Sequence, residues 1–109
     1  MTEAQFQSKL LKALRSHPAL KDAVIWKMND RYTKGIPDIL VFCNDTTTFL
    51  EVKIWPNKPT KIQQYYLDKL RPASYTITRL RNGDITVQPW SYARIFKLEE
   101  IADLCTNDD

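Results

Sequence analysis

The chain has 109 residues, 43% hydrophobic and 27% charged, which supports one small core and excludes two domains. No apolar run approaches the ~18 residues of a membrane span, and "MTEAQFQSKL" lacks the charged start and apolar stretch of a secretory leader, so an intracellular, cytoplasmic protein is expected. Net charge is only +3, but five of the 13 acids lie in residues 98–109, which hold no Lys or Arg. Residues 1–97 keep eight acids against all 16 bases, a net +8 that suits a polyanionic partner as well as an ordinary solvated surface.

Residues 2–18, "TEAQFQSKLLKALRSHP", predict a helix capped by Thr2, with Phe6, Leu10, Ala13 and Leu14 at helical spacing and Pro18 at its end. "AVIWKM", 23–28, reads as a strand and "NDRYTKG", 29–35, as a polar, basic loop. "PDILVFC", 37–43, is a second strand with Pro at its first position, where a missing N–H is tolerated. "NDTT" is a turn and "TFLEVKIW", 48–55, a third strand. "TKIQQYYLDKLR", 60–71, is a helix stopped by Pro72. "SYTITRL" and "DITVQPW" are strands around the hairpin signal Asn82-Gly83, and "KLEEIADLC", 97–105, is a last short helix. The order α-β-β-β-α-β-β-α predicts one α/β domain over 1–105, a small mixed central sheet flanked by helices, with a short acidic tail at 106–109. Cys43 and Cys105 match no zinc spacing and read as free, buried thiols.

Two of the strands carry charge. Glu51 and Lys53 share one face of the third strand, while Leu50, Val52 and Ile54 take the core face. Asp38 shares its face with Leu40 and Phe42. A hairpin closed by "NDTT" sets Cys43 near Thr48 and Asp38 near Lys53, making Asp38 and Glu51 diagonal neighbours. A two-residue shift preserves that arrangement and a one-residue shift destroys it. Two carboxylates and a lysine at a hairpin end suit Mg²⁺, which prefers oxygen ligands. Asp38, Glu51 and the Val52 backbone carbonyl would supply them, with Lys53 holding or polarising water. Taken singly, an E-x-K triplet reads as an exposed edge pair and the Asp as a turn residue.

"GIPD", 35–38, followed by "EVK", 51–53, resembles the PD-(D/E)XK nuclease superfamily, and most closely its small stand-alone VRR-NUC branch. The pattern extends to Glu3 in the first helix and to Thr60 with Gln63 at the start of the next, so the resemblance spans roughly residues 2–80. It implies a restriction-endonuclease-like fold and a Mg²⁺- or Mn²⁺-dependent DNA endonuclease. Asp38 and Glu51 would be metal ligands and Lys53 the catalytic lysine. Glu3 would be a further carboxylate near the metal, reaching it through water, and Gln63 a helper. Stand-alone members of the branch, mostly from phages and bacteria, look like homodimers that cut branched DNA such as Holliday junctions or flaps. A non-catalytic nucleic-acid-binding module on the same fold, or a nuclease for plain duplex DNA, are the alternatives. Glu3 also reads as a first-turn acid favoured by the helix dipole, and Gln63 as the N3 residue of a capping box.

Lys27, Arg31, Lys34, Lys58 and Lys61 flank the proposed site and could contact phosphates, although each alone also reads as a solvated loop charge. Tyr32 and Trp55, in the same loops, could stack on an unpaired base. His17 reads as a capping residue, and Tyr65, Tyr66 and Trp90 as core or dimer interface.

Overall fold

Thr2 starts helix α1, Glu3–Ser16, with a capping box to Gln5, and Phe6, Leu10, Leu11 and Leu14 form its buried stripe. A computed structural model describes residues 1–28, 32–89 and 94–106. His17 accepts the Ala19 N–H at 3.1 Å through Nδ1, capping a 3₁₀ turn at Pro18–Leu20, and its Nε2 lies 3.7 Å from Asp103. Strands β1 (Val24–Lys27), β2 (Ile39–Cys43) and β3 (Thr46–Ile54) follow as an antiparallel meander. Helix α2 (Lys61–Lys69) crosses to β4 (Ser74–Arg79), which pairs parallel with β3; β5 (Ile85–Pro89) and β6 (Arg94–Phe96) continue antiparallel. A 3₁₀ turn at Leu98–Glu100 leads into α3, Ile101–Thr106. Among the described residues this is a small mixed α/β protein, three helices on a six-stranded mixed sheet in the order β1-β2-β3-β4-β5-β6. No described helix is long and apolar enough to cross a membrane.

One face of the sheet holds the core. Ile39 and Val41 of β2, Leu50 and Val52 of β3, Ile77 of β4 and Val87 of β5 pack there with α1 and α3. The other face carries α2 over its middle: Ser74, Thr76 and Thr78 point away from the core, and the Ser74 hydroxyl donates to the Leu67 carbonyl of α2 at 2.6 Å. Cys43 and Cys105 are buried and free, and burial pushes the Cys105 thiol up to about 12, with Cys43 adding to the rise.

Three details differ from the sequence reading. The β2–β3 turn is only Asn44-Asp45, with φ of 53° and 62°, the conformation of a two-residue type I′ hairpin. Cys43 therefore faces Thr46, not Thr48, and the ladder ends at Ile39 opposite Leu50. This is the even shift that keeps every side chain on its expected face. The Asn82-Gly83 hairpin is closed by Leu80 and Asp84, leaving three loop residues with Gly83 at φ 92°. Strand β6 has only three residues and no clear alternation, which left it outside the predicted elements. Arg31, Trp90 and residues 107–109 of the predicted tail lie outside the described residues.

Candidate active site

The site arises from an overhang. β3 runs to Ile54, but β2 pairs with it only as far as Leu50. Residues 51–54 keep β4 on one side and lack β2 on the other. Asp38 closes the start of this gap. Its N–H donates to the Leu50 carbonyl at 3.0 Å, and its carboxylate Oδ2 accepts the Val52 N–H at 2.7 Å. The carboxylate thus stands where the next ladder bond would be. A strand residue directs its N–H and C=O toward the same neighbour, so the Val52 carbonyl faces the Asp38 side as well.

Glu51 and Lys53 leave β3 on the face opposite the core, as alternation requires. Glu51 is 1% exposed and Lys53 6% exposed. Lys53 Nζ lies 3.7 Å from Glu51 Oε2 and 4.0 Å from Glu3 Oε1. The long lysine stem carries the ammonium to the first turn of α1, joining the two acids. Asp38, Glu51, Lys53 and Glu3 are thereby one charge cluster built from three elements.

Neither Glu51 carboxyl oxygen has a hydrogen-bond partner, although both are buried. Burial pushes the Glu51 carboxyl up to about 8; Asp38 and, less strongly, Glu3 add to the rise, and Lys53 opposes it. An unsolvated carboxyl is costly unless something compensates its charge. A divalent cation would do so, which is the chemical fit of this donor set to Mg²⁺ or Mn²⁺. No group of three or more His, Cys, Asp or Glu side chains converges as a ligand set among the described residues. Mg²⁺ commonly takes one or two carboxylates and keeps its waters, a set that Asp38, Glu51 and the Val52 carbonyl could supply.

Gln63 caps helix α2. Its Oε1 accepts the Thr60 N–H at 2.8 Å and its N–H donates to the Thr60 hydroxyl at 3.3 Å, the reciprocal capping box. Lys27, Lys34, Lys58 and Lys61 are all exposed. Gly35, at φ +87°, packs against Ile62 so closely that an added Cβ would sit 2.9 Å from that side chain. This contact seats the loop that leads to Asp38 on α2. Sequence reasoning missed that seat, the carboxylate's hold on Val52, and a cavity beneath α2. The glycine within "GIPD" was the available signal for the first. No protein-family model matches the chain and no curated protein does.

Proposed function

We propose that the protein is a Mg²⁺- or Mn²⁺-dependent DNA endonuclease on a restriction-endonuclease-like plan, acting on branched DNA such as Holliday junctions or flaps. The observation that carries this reading is the buried, hydrogen-bond-free Glu51 carboxyl set beside Asp38 and Lys53. Asp38 and Glu51, with the Val52 carbonyl, would hold the metal, which when bound stabilises the charge developing on the scissile phosphate and acidifies water. Lys53 neutralises the carboxylate cluster and offers its ammonium to the attacking water or a phosphate oxygen. Glu3 holds that ammonium from the other side. Lys27, Lys34, Lys58 and Lys61, with Arg31, would position the phosphate backbone. Gln63 is assigned to the helix cap.

The working unit is proposed to be a homodimer. Val24, Trp26 and Phe42 are 41%, 60% and 42% exposed. The pairs Val24–Phe42 and Trp26–Leu40 put them on one non-core face of β1 and β2, a patch of the kind that marks interfaces.

Nicking of a four-way junction in Mg²⁺ or Mn²⁺, absent in EDTA and in Lys53→Met, is the expected behaviour. Junction binding without nicking under every metal condition would instead favour a non-catalytic binding module.

A further inference from the structure

A cavity of about 820 Å³ lies between α2 and the non-core face of β4 and β5. That is within the ~300–1,000 Å³ typical of small-ligand sites. Its floor is uncharged: Thr76, Thr78, Thr86 and Gln88 present hydroxyls and an amide that both donate and accept. Its walls include two half-exposed aromatic rings, Trp55 at 46% and Tyr65 at 53% exposure. Tyr65 is held by the edge of Tyr66 at 5.3 Å between centroids and by Lys69 at 5.6 Å from its ring. Lys58 and Asp68 also line the cavity, one charge of each sign, and Asp68 is engaged by Arg71 at 3.8 Å. A flat, neutral, heteroaromatic group is the ligand that such walls and floor match. A phosphate would find little net charge there.

Position makes the ligand specific. Thr76 pairs with Glu51 and Thr78 with Lys53 on the same face of the sheet. One strand spacing, about 4.8 Å, separates the cavity floor from the charge cluster, so a group in the cavity adjoins a phosphodiester held at Asp38 and Glu51. We propose that this cavity is a nucleobase pocket: it takes one unpaired base from the nucleotide flanking the scissile phosphate, stacked on Trp55 and Tyr65. A paired, stacked base cannot enter. The pocket therefore selects DNA with an unpaired base at the cut, which gives flapped or gapped substrates their advantage over plain duplex. The inference rests on the nuclease reading for its placement of the phosphate, and its test does not require cleavage.

The experiment compares two DNAs of one sequence in EDTA, one fully paired and one with a single unpaired 2-aminopurine. Binding is followed by anisotropy and stacking by aminopurine fluorescence. The wild type is expected to prefer the unpaired probe and to alter its fluorescence. Trp55→Ala and Tyr65→Ala should each shrink the preference by roughly 5- to 150-fold, the worth of one stacked base, with affinity for the paired DNA unchanged. Trp55→Phe should retain most of it. Both rings are half-exposed, so their truncation spares the core. Equal wild-type affinity for the two DNAs, or a preference that survives both alanine variants, overturns the pocket. The preference without cleavage on adding Mg²⁺ keeps the pocket and removes the nuclease; cleavage without the preference does the reverse. No binding to either DNA removes both.

Discussion

With its carboxyl pushed up to about 8, Glu51 changes charge across the range in which proteins are usually handled. The native state binds more protons than the unfolded chain between the ordinary value of 4.5 and about 8. Stability from this group is therefore full below 4.5 and lost as pH rises through 8, on the order of a few kcal/mol in all. Metal-free wild type should melt at falling temperature over that interval, and Glu51→Gln should flatten the slope and melt higher than wild type at pH 8. A wild-type melting temperature that rises steadily from pH 5 to 8 without metal would refute the raised titration of the buried Glu51 carboxyl. The same group would favour a cation at the proposed site: binding would draw on a charge the fold leaves unsolvated, and it should release protons at pH 7. Asp38 has a separate structural part, because its Oδ2 accepts the Val52 N–H at 2.7 Å. Asp38→Ala strands that donor and should cost about 1–3 kcal/mol. Asp38→Asn keeps an acceptor and should cost less while removing the charge proposed to hold the metal. Equal stability of the two variants in urea titrations would contradict the bond's structural role.

Between elements, the position of Asp38 depends on the seat of its loop on α2. Gly35 has φ +87°, and a Cβ there would lie 2.9 Å from two Ile62 side-chain carbons and 3.0 Å from the Ile62 carbonyl carbon. Gly35→Ala should destabilise by about 1–3 kcal/mol and weaken the proposed metal binding, because relief requires the loop to lift from the helix. Unchanged stability in chemical denaturation would show that the loop yields freely. Faces were legible in the sequence because burial enforces alternation: Leu50, Val52 and Ile54 pack inward as their spacing demands, and Glu51 and Lys53 point away. Register was less legible. Thr46 and Thr47 suit a turn as well as a strand, and the tight turn was signalled only by the tolerance of Asn44 and Asp45 for positive φ. The capping box at Thr60 and Gln63 was readable from spacing alone, since it needs no partner outside its own turn. The hold of Asp38 on Val52, by contrast, exists only because two strands end unevenly, and no local pattern encodes that.

For the whole molecule, one sheet face is closed by α1 and α3, while α2 covers only part of the other. That face also carries the apolar strip of β1 and β2, the cavity beneath α2, and the buried Glu51 and Lys53 side chains. A homodimer formed through the strip should sediment at twice the chain mass, and Trp26→Lys should convert it to a monomer without loss of helicity. A wild-type monomer at tens of micromolar would exclude that interface. Lys27, Lys34, Lys58 and Lys61 are exposed, and residues 98–109 hold five of the 13 acids.

The most direct measurement is cleavage of matched four-way junction, flap, single-stranded and linear duplex DNAs by wild type and Glu51→Gln. Each reaction is run in Mg²⁺, in Mn²⁺ and in EDTA. Metal-dependent cutting of the branched DNAs in preference to linear duplex, abolished by Glu51→Gln in a protein that remains folded, is the predicted result. Absence of cutting by folded wild type in either metal, or cutting that persists in Glu51→Gln, would contradict the assignment of this cluster as a nuclease centre.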